Sequence, residues 1–74
     1  MDDELIIDYI IDTLSKYDKE LKNVTILQEI DSKDPNFTII HYSDDNYGSE
    51  LIGISYSNLD LFDRKRKINK INNK

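Results

Sequence analysis

Few side chains in this sequence have the types and spacing for chemistry. His41 is the only histidine, cysteine is absent, and the carboxylates gather at Asp2–Glu4, at Asp8 and Asp12, and at Asp44, Asp45 and Glu50. Histidine is the side chain that ordinarily titrates near neutrality, and Ser43, Asp44 and Asp45 follow His41 closely. Those are the residue types of a Ser-His-Asp triad. A triad also needs a nucleophile elbow and backbone donors for an oxyanion, and no such motif accompanies it. His41 therefore reads as a structural or surface residue.

Asp44, Asp45, Asn46 and Glu50 raise the question of calcium. An EF-hand loop takes oxygen ligands at positions 1, 3, 5 and 12, with glycine at 6. With Gly48 at position 6, Tyr47 falls at 5 and Ile54 at 12, where the bidentate glutamate belongs. The pattern fails, and these acids read as solvated loop carboxylates. Two glycines cannot build a phosphate-cradling loop, and no CxxC, HExxH or dinucleotide fingerprint occurs. The expectation is a protein without catalytic residues, metal or cofactor, and hence not an enzyme.

Charge is the most distinctive feature. The net charge is −5, but residues 1–63 hold all 15 acidic side chains against four lysines, a balance of −11, and residues 64–74 carry six basic side chains. Arg64, Lys65, Arg66 and Lys67, with Lys70 and Lys74 beyond, have the density of a nucleic-acid phosphate contact. The acidic body opposes that reading, since it would repel a duplex laid across it. Asp8 and Asp12 would stand about 6 Å apart along a helix, comparable with successive phosphates of one nucleic-acid strand. A surface of this kind suits a basic, nucleic-acid-binding protein as partner.

These residues need elements to position them. Ile7, Ile10, Leu14, Tyr17 and Leu21 step by three and four, which predicts an amphipathic helix over Asp2–Leu21, flanked by Ile6 and Ile11. Leu5 and Tyr9 form a separate pair beside Asp8 and Asp12. They read as the flank of a wide buried face or as an exposed anchor ringed by acid. Lys22-Asn23 is placed as the helix end, with Asn23 in a left-handed cap.

Three runs rich in β-branched and aromatic residues follow: Val24–Ile30, Phe37–Tyr42 and Leu51–Tyr56. In the first, Val24, Ile26 and Ile30 share one parity; in the third, Ile52, Ile54 and Tyr56 do. The middle run carries apolar residues on both sides, which suits a central strand and leaves the outer face not wholly polar. The links are too short for parallel crossovers, so an antiparallel meander is expected. Asp31–Asn36 is turn chemistry around Pro35. Ser43–Glu50 reads as the mobile loop, with Tyr47 exposed. Ser57, with Asp60 three residues on, predicts the start of a short helix that frays into a basic tail.

The expected fold class is thus α+β: an N-terminal helix on a three-stranded antiparallel sheet (α-β-β-β), then a short C-terminal helix. Residues 1–63 would form one acidic domain and residues 64–74 a flexible basic tail. The acidic N-terminus is unlike a secretory signal, and its longest apolar run, Leu5-Ile6-Ile7, is far below a membrane span of about 20 residues. A cytoplasmic protein that does not meet membranes is expected. Abundant Ile, Asp, Lys and Asn without alanine point to an AT-rich genome. In architecture and acidity alone, the chain resembles small phage-encoded inhibitors of host nucleases.

The function this implies is a small non-enzymatic protein-binding module, an inhibitor or regulator engaging a larger protein with a basic surface. Leu5, Asp8, Tyr9, Asp12, Asp44, Asp45, Tyr47 and Glu50 are its candidate contacts. Two alternatives stand beside it. One is nucleic-acid binding through Arg64, Lys65, Arg66 and Lys67. The other is a self-associating homo-oligomeric subunit, with the basic tail of one copy on the acidic body of the next.

Overall fold

The computed structural model describes residues 3–72, with side chains through Ile68. Asp2 and Lys74, named above for their charge, lie outside that range, as does the side chain of Lys70. The chain is α+β, in the order α1 (Asp3–Ser15), β1 (Thr25–Asp31), β2 (Phe37–Asp44), β3 (Gly48–Ser55) and α2 (Tyr56–Asn72). The strands form one antiparallel meander, β1-β2-β3. Both helices contribute to a core against a single sheet face: Ile6 and Ile10 from α1 and Leu59 from α2 are buried with Ile40, Tyr42 and Ile54.

Helix α1 is shorter than its apolar spacing predicts. Asp18 takes a left-handed φ of 60°. Its N–H donates to the Ser15 carbonyl at 3.2 Å, and the Lys19 N–H donates to the Leu14 carbonyl at 3.2 Å. This is a Schellman stop, five residues before the predicted cap. Asn23 is also left-handed, at 57°, but there it turns the chain into β1. The buried stripe becomes Ile6 and Ile10 with half-buried Leu14, while Tyr17, next to the stop, is 73% exposed. Leu5 and Tyr9 pack against the core, which is the wide buried face.

The β2–β3 connection differs most from expectation. Asp44 pairs with Gly48, so only Asp45, Asn46 and Tyr47 form the turn. Gly48, at φ 76°, supplies the left-handed residue that a three-residue hairpin loop needs. Ser43, Asp44, Ser49 and Glu50 extend the two strands instead of forming a mobile loop. Residue polarity concealed this, because the buried Asp44 carboxylate is satisfied by backbone donors described below.

The parity of β1 also breaks. Ile26 pairs with Tyr42 and Gln28 with His41, which leaves Leu27 as the extra residue of a bulge. Past it every side chain changes face: Ile26 lies on the helix side, whereas Ile30, opposite Ile39, lies on the outer side. In β2 the buried set is Thr38, Ile40, Tyr42 and Asp44, which places Phe37, Ile39 and His41 on the outer face. In β3, Ile52 and Ile54 face the helices, as their alternation predicts.

Helix α2 begins one residue before Ser57. Ser55 caps it, its Oγ accepting the Asn58 N–H at 3.4 Å. Ser57 instead donates to Asn36 Oδ1 at 3.1 Å, and the Tyr56 N–H reaches the Asn36 carbonyl at 2.9 Å. The helix is not short: its 17 residues exceed the 13 of α1, and residues 64–72 continue it. No described helix is long and apolar enough to cross a membrane.

The stop at Asp18 yields a prediction. A left-handed L-residue carries a steric cost that glycine does not, so Asp18→Gly should stabilise the fold by about 0.5–1 kcal/mol. The urea midpoint should rise with the m-value unchanged; a lower midpoint would show that the Asp18 side chain contributes more than its conformation costs.

Candidate interaction surface

The residues expected to meet a partner fall on separate elements, and most already have a partner within the chain. On α1, Asp8 Oδ2 accepts from Arg66 Nη1 at 2.6 Å, and Asp12 pairs with Lys16 at 3.5 Å. The Tyr9 ring stands edge-on to Phe62, with centroids 5.5 Å apart. Leu5 is half-buried against the core.

The second group sits at the β2–β3 turn. Asp44 is buried, and its carboxylate accepts from the Lys22 N–H, from the Asn46 N–H at 2.9 Å and from the Tyr47 N–H at 3.1 Å. Asp45 Oδ2 accepts from Asn23 Nδ2 at 2.7 Å. Asn46 Nδ2 donates to the Glu20 carbonyl at 2.8 Å, and the Tyr47 hydroxyl accepts the Glu20 N–H at 3.3 Å. The turn is thereby clamped to the connection between α1 and β1. Lys19 lies 3.7 Å from Glu50 and 5.6 Å from the Tyr47 ring centroid.

The Tyr42 hydroxyl donates to Glu50 Oε2 at 3.3 Å. Burial, and then the negative charges of Glu50 and Asp44, push the Tyr42 phenol up to about 12.

The basic cluster is engaged in the same way. Arg64 pairs with Asp60 at 3.0 Å, and Arg66 bridges Asp8 on α1 and Asp63 on its own helix. Lys67 reaches Asp63 at 3.1 Å and, together with Arg66, holds that carboxyl below the usual carboxylate range. Lys65 lines a groove of about 370 Å³ between the helices, with Tyr9, Asp12, Tyr17, Leu61 and Phe62 among its walls. The walls hold one carboxylate and no histidine. Among the described residues, no three His, Asp or Glu side chains are grouped to hold a metal ion.

The surface that residue-by-residue reading missed is the outer face of the sheet. His41 sits in its middle row, between Gln28 on β1 and Leu51 on β3. Ile39 pairs with Ile30 on one side and Gly53 on the other. The Phe37 ring lies over Gly53, where a Cβ would meet Phe37 Cζ at 2.3 Å. Leu51 is 63% exposed, and Leu27, at the bulge, 51%. No Asp, Glu, Lys or Arg occupies an outward position on the three paired strands. The apolar residues on both sides of β2 were the signal for this face; the bulge that adds Ile30 and Leu27 to it has no signature in the sequence.

No protein-family model, curated protein or solved structure matches the chain.

Two predictions follow from the carboxylate and the phenol. Asp44→Ala removes the acceptor of three backbone donors and should cost about 2–3 kcal/mol, whereas Asp45→Ala, at an exposed contact, should cost under about 1 kcal/mol. Equal shifts of the urea midpoint would contradict the clamp. The Tyr42 phenol keeps its proton in the fold from its ordinary 10.0 up to about 12. The stability this gives is full below pH 10 and is lost as the pH rises toward 12. The stability difference between wild type and Tyr42→Phe should change across that alkaline window and hold steady below it; parallel pH profiles would show that Tyr42 is not responsible.

Proposed function

We propose that this chain is a small, non-enzymatic, cytoplasmic protein-interaction module whose contact surface is the uncovered sheet face. One observation carries the reading: in a chain with 34% charged residues, a face three strands wide carries no formal charge and exposes Phe37, Leu27 and Leu51. Apolar patches rimmed by polar residues mark protein contacts. Loss of charge at the centre, with aromatic and aliphatic anchors, distinguishes an interface core from ordinary surface.

The two charge-led readings have less support. Capture of a basic protein by carboxylates would draw on Asp8, Asp12 and Glu50, which Arg66, Lys16 and Lys19 already engage. Nucleic-acid binding would draw on Arg64, Lys65, Arg66 and Lys67, of which Arg64, Arg66 and Lys67 pair with Asp60, Asp8 and Asp63 while Lys65 lines the groove between the helices. Exposed ion pairs are worth about 0–1 kcal/mol, so these pairs lessen the local charge without locking it away. A regulatory or structural role of this kind requires no reactive centre.

Site-specific photo-cross-linking in the native cell tests the proposal. A cross-linker at position 51 should give protein adducts, and one at position 61, on the opposite side of the molecule, should not. Adducts from position 61 with none from 51 would transfer the contact to the helices and overturn it.

A further inference from the structure

We infer that the occupant of the outer sheet face is a second copy of this chain, packed sheet to sheet about a two-fold axis. The inference rests on the interaction-module reading above and adds the identity of the partner.

Charge is the first argument. At a net charge of −5, two copies repel as they approach. The outer face is the broad surface on which no formal charges would oppose one another, with Ile30, Phe37, Ile39, His41 and Leu51 across it and Leu27 at the bulge on its β1 edge. It is neutral, and therefore electrostatically compatible with itself. A strongly basic partner would find no ionic contact there.

The relief of the face is the second argument. Leu27 and Leu51, exposed on opposite edge strands, flank the middle row containing His41, Leu51 as its partner on β3 and Leu27 beside its partner Gln28 on β1. A two-fold axis running along β2 exchanges the two edges, so Leu51 of each copy meets the Leu27 edge of the other. Such an interface is isologous and closed, and it stops at two copies.

Area is the third. With strands about 4.8 Å apart and a rise of about 3.3 Å per residue, the face covers roughly 350–400 Å² in plan. Side chains raise its accessible area above that figure. Two faces of that plan area sum to roughly 700–800 Å², which side-chain relief brings toward the ~1,000 Å² lower limit for a specific contact, so a weak, reversible dimer is expected.

Stability is the fourth. Among the described residues six hydrophobic side chains are buried, and the sequence has no cysteine for a disulfide. Chains of this size commonly depend on an added staple, and oligomerisation is one. A partner needed for the stability of the fold must be present wherever the chain is made. Another copy satisfies that condition without any further gene product.

The test uses the purified full-length chain in sedimentation equilibrium, up to about 0.5 mM to cover a micromolar-range constant. Wild type should be a monomer–dimer system. Leu51→Asp and Leu27→Asp, each at an exposed position, should raise the dissociation constant about 30-fold or more. Leu61→Asp, on the helix side and 52% exposed, should leave it unchanged. Circular dichroism establishes that all three variants are folded. Added salt should leave association intact or strengthen it, because the contact is apolar.

A wild-type chain that stays monomeric overturns the inference, as does a dimer that survives both face variants or dissolves in salt. If the purified chain is monomeric while position 51 still cross-links to a different protein in the cell, the second copy is excluded and the interaction-module reading stands. If position 51 gives no adduct of any kind, that reading falls as well.

Discussion

One buried carboxylate ties the two halves of this small fold together. Asp44 ends β2, yet its acceptors serve the N–H of Lys22, in the connection after α1, as well as two N–H groups of its own turn. A buried carboxyl group is tolerated only when donors surround it, and here the donors are backbone groups that cannot move independently. The clamp joins the connection ahead of β1 to the turn between β2 and β3. Asn46 and Tyr47, bonded to Glu20, reinforce the same junction.

With both helices on one face, charges and apolar groups separate. The acidic body and the basic C-terminal helix, opposite in sign along the chain, meet on the helix side. There Arg66 reaches back across 58 positions in sequence to Asp8. Asp8, Asp12, Glu50, Asp60 and Asp63 meet lysine or arginine in ion pairs, and no charged side chain lies on the sheet's far side. An acidic composition therefore need not mean an acidic working surface, because where the charges lie decides what a partner meets.

The fold class was legible because apolar spacing reports burial directly. The three- and four-residue steps of α1 and the alternation of Ile52 and Ile54 are local signals, and local physics placed those elements. The departures came from residues whose conformation overrode their polarity or parity. Asp18 stopped a helix that the pattern would have continued to Leu21. Asp44 entered the core although its type belongs outside. Leu27 bulged and turned Ile30 away from Ile26. Each depends on backbone geometry or on distant donors, which spacing does not encode. The candidate site was less legible for the same reason: its residues were chosen one at a time by chemistry, whereas the uncovered face is a collective property of three strands in register.

The bulge at Leu27 has a consequence for how far the sheet can grow. Both outer strands present unpaired backbone, but β1 is kinked and carries Glu29 and Asp31, whereas β3 runs unbroken beside β2 through eight residues. Fibrillar stacking by strand addition needs an adhesive edge at each end of every unit. This molecule has one smooth edge and one spoiled edge, so a ribbon started on β3 ends at the first β1 it meets. Bulges are among the features that make an edge strand a poor template for such pairing.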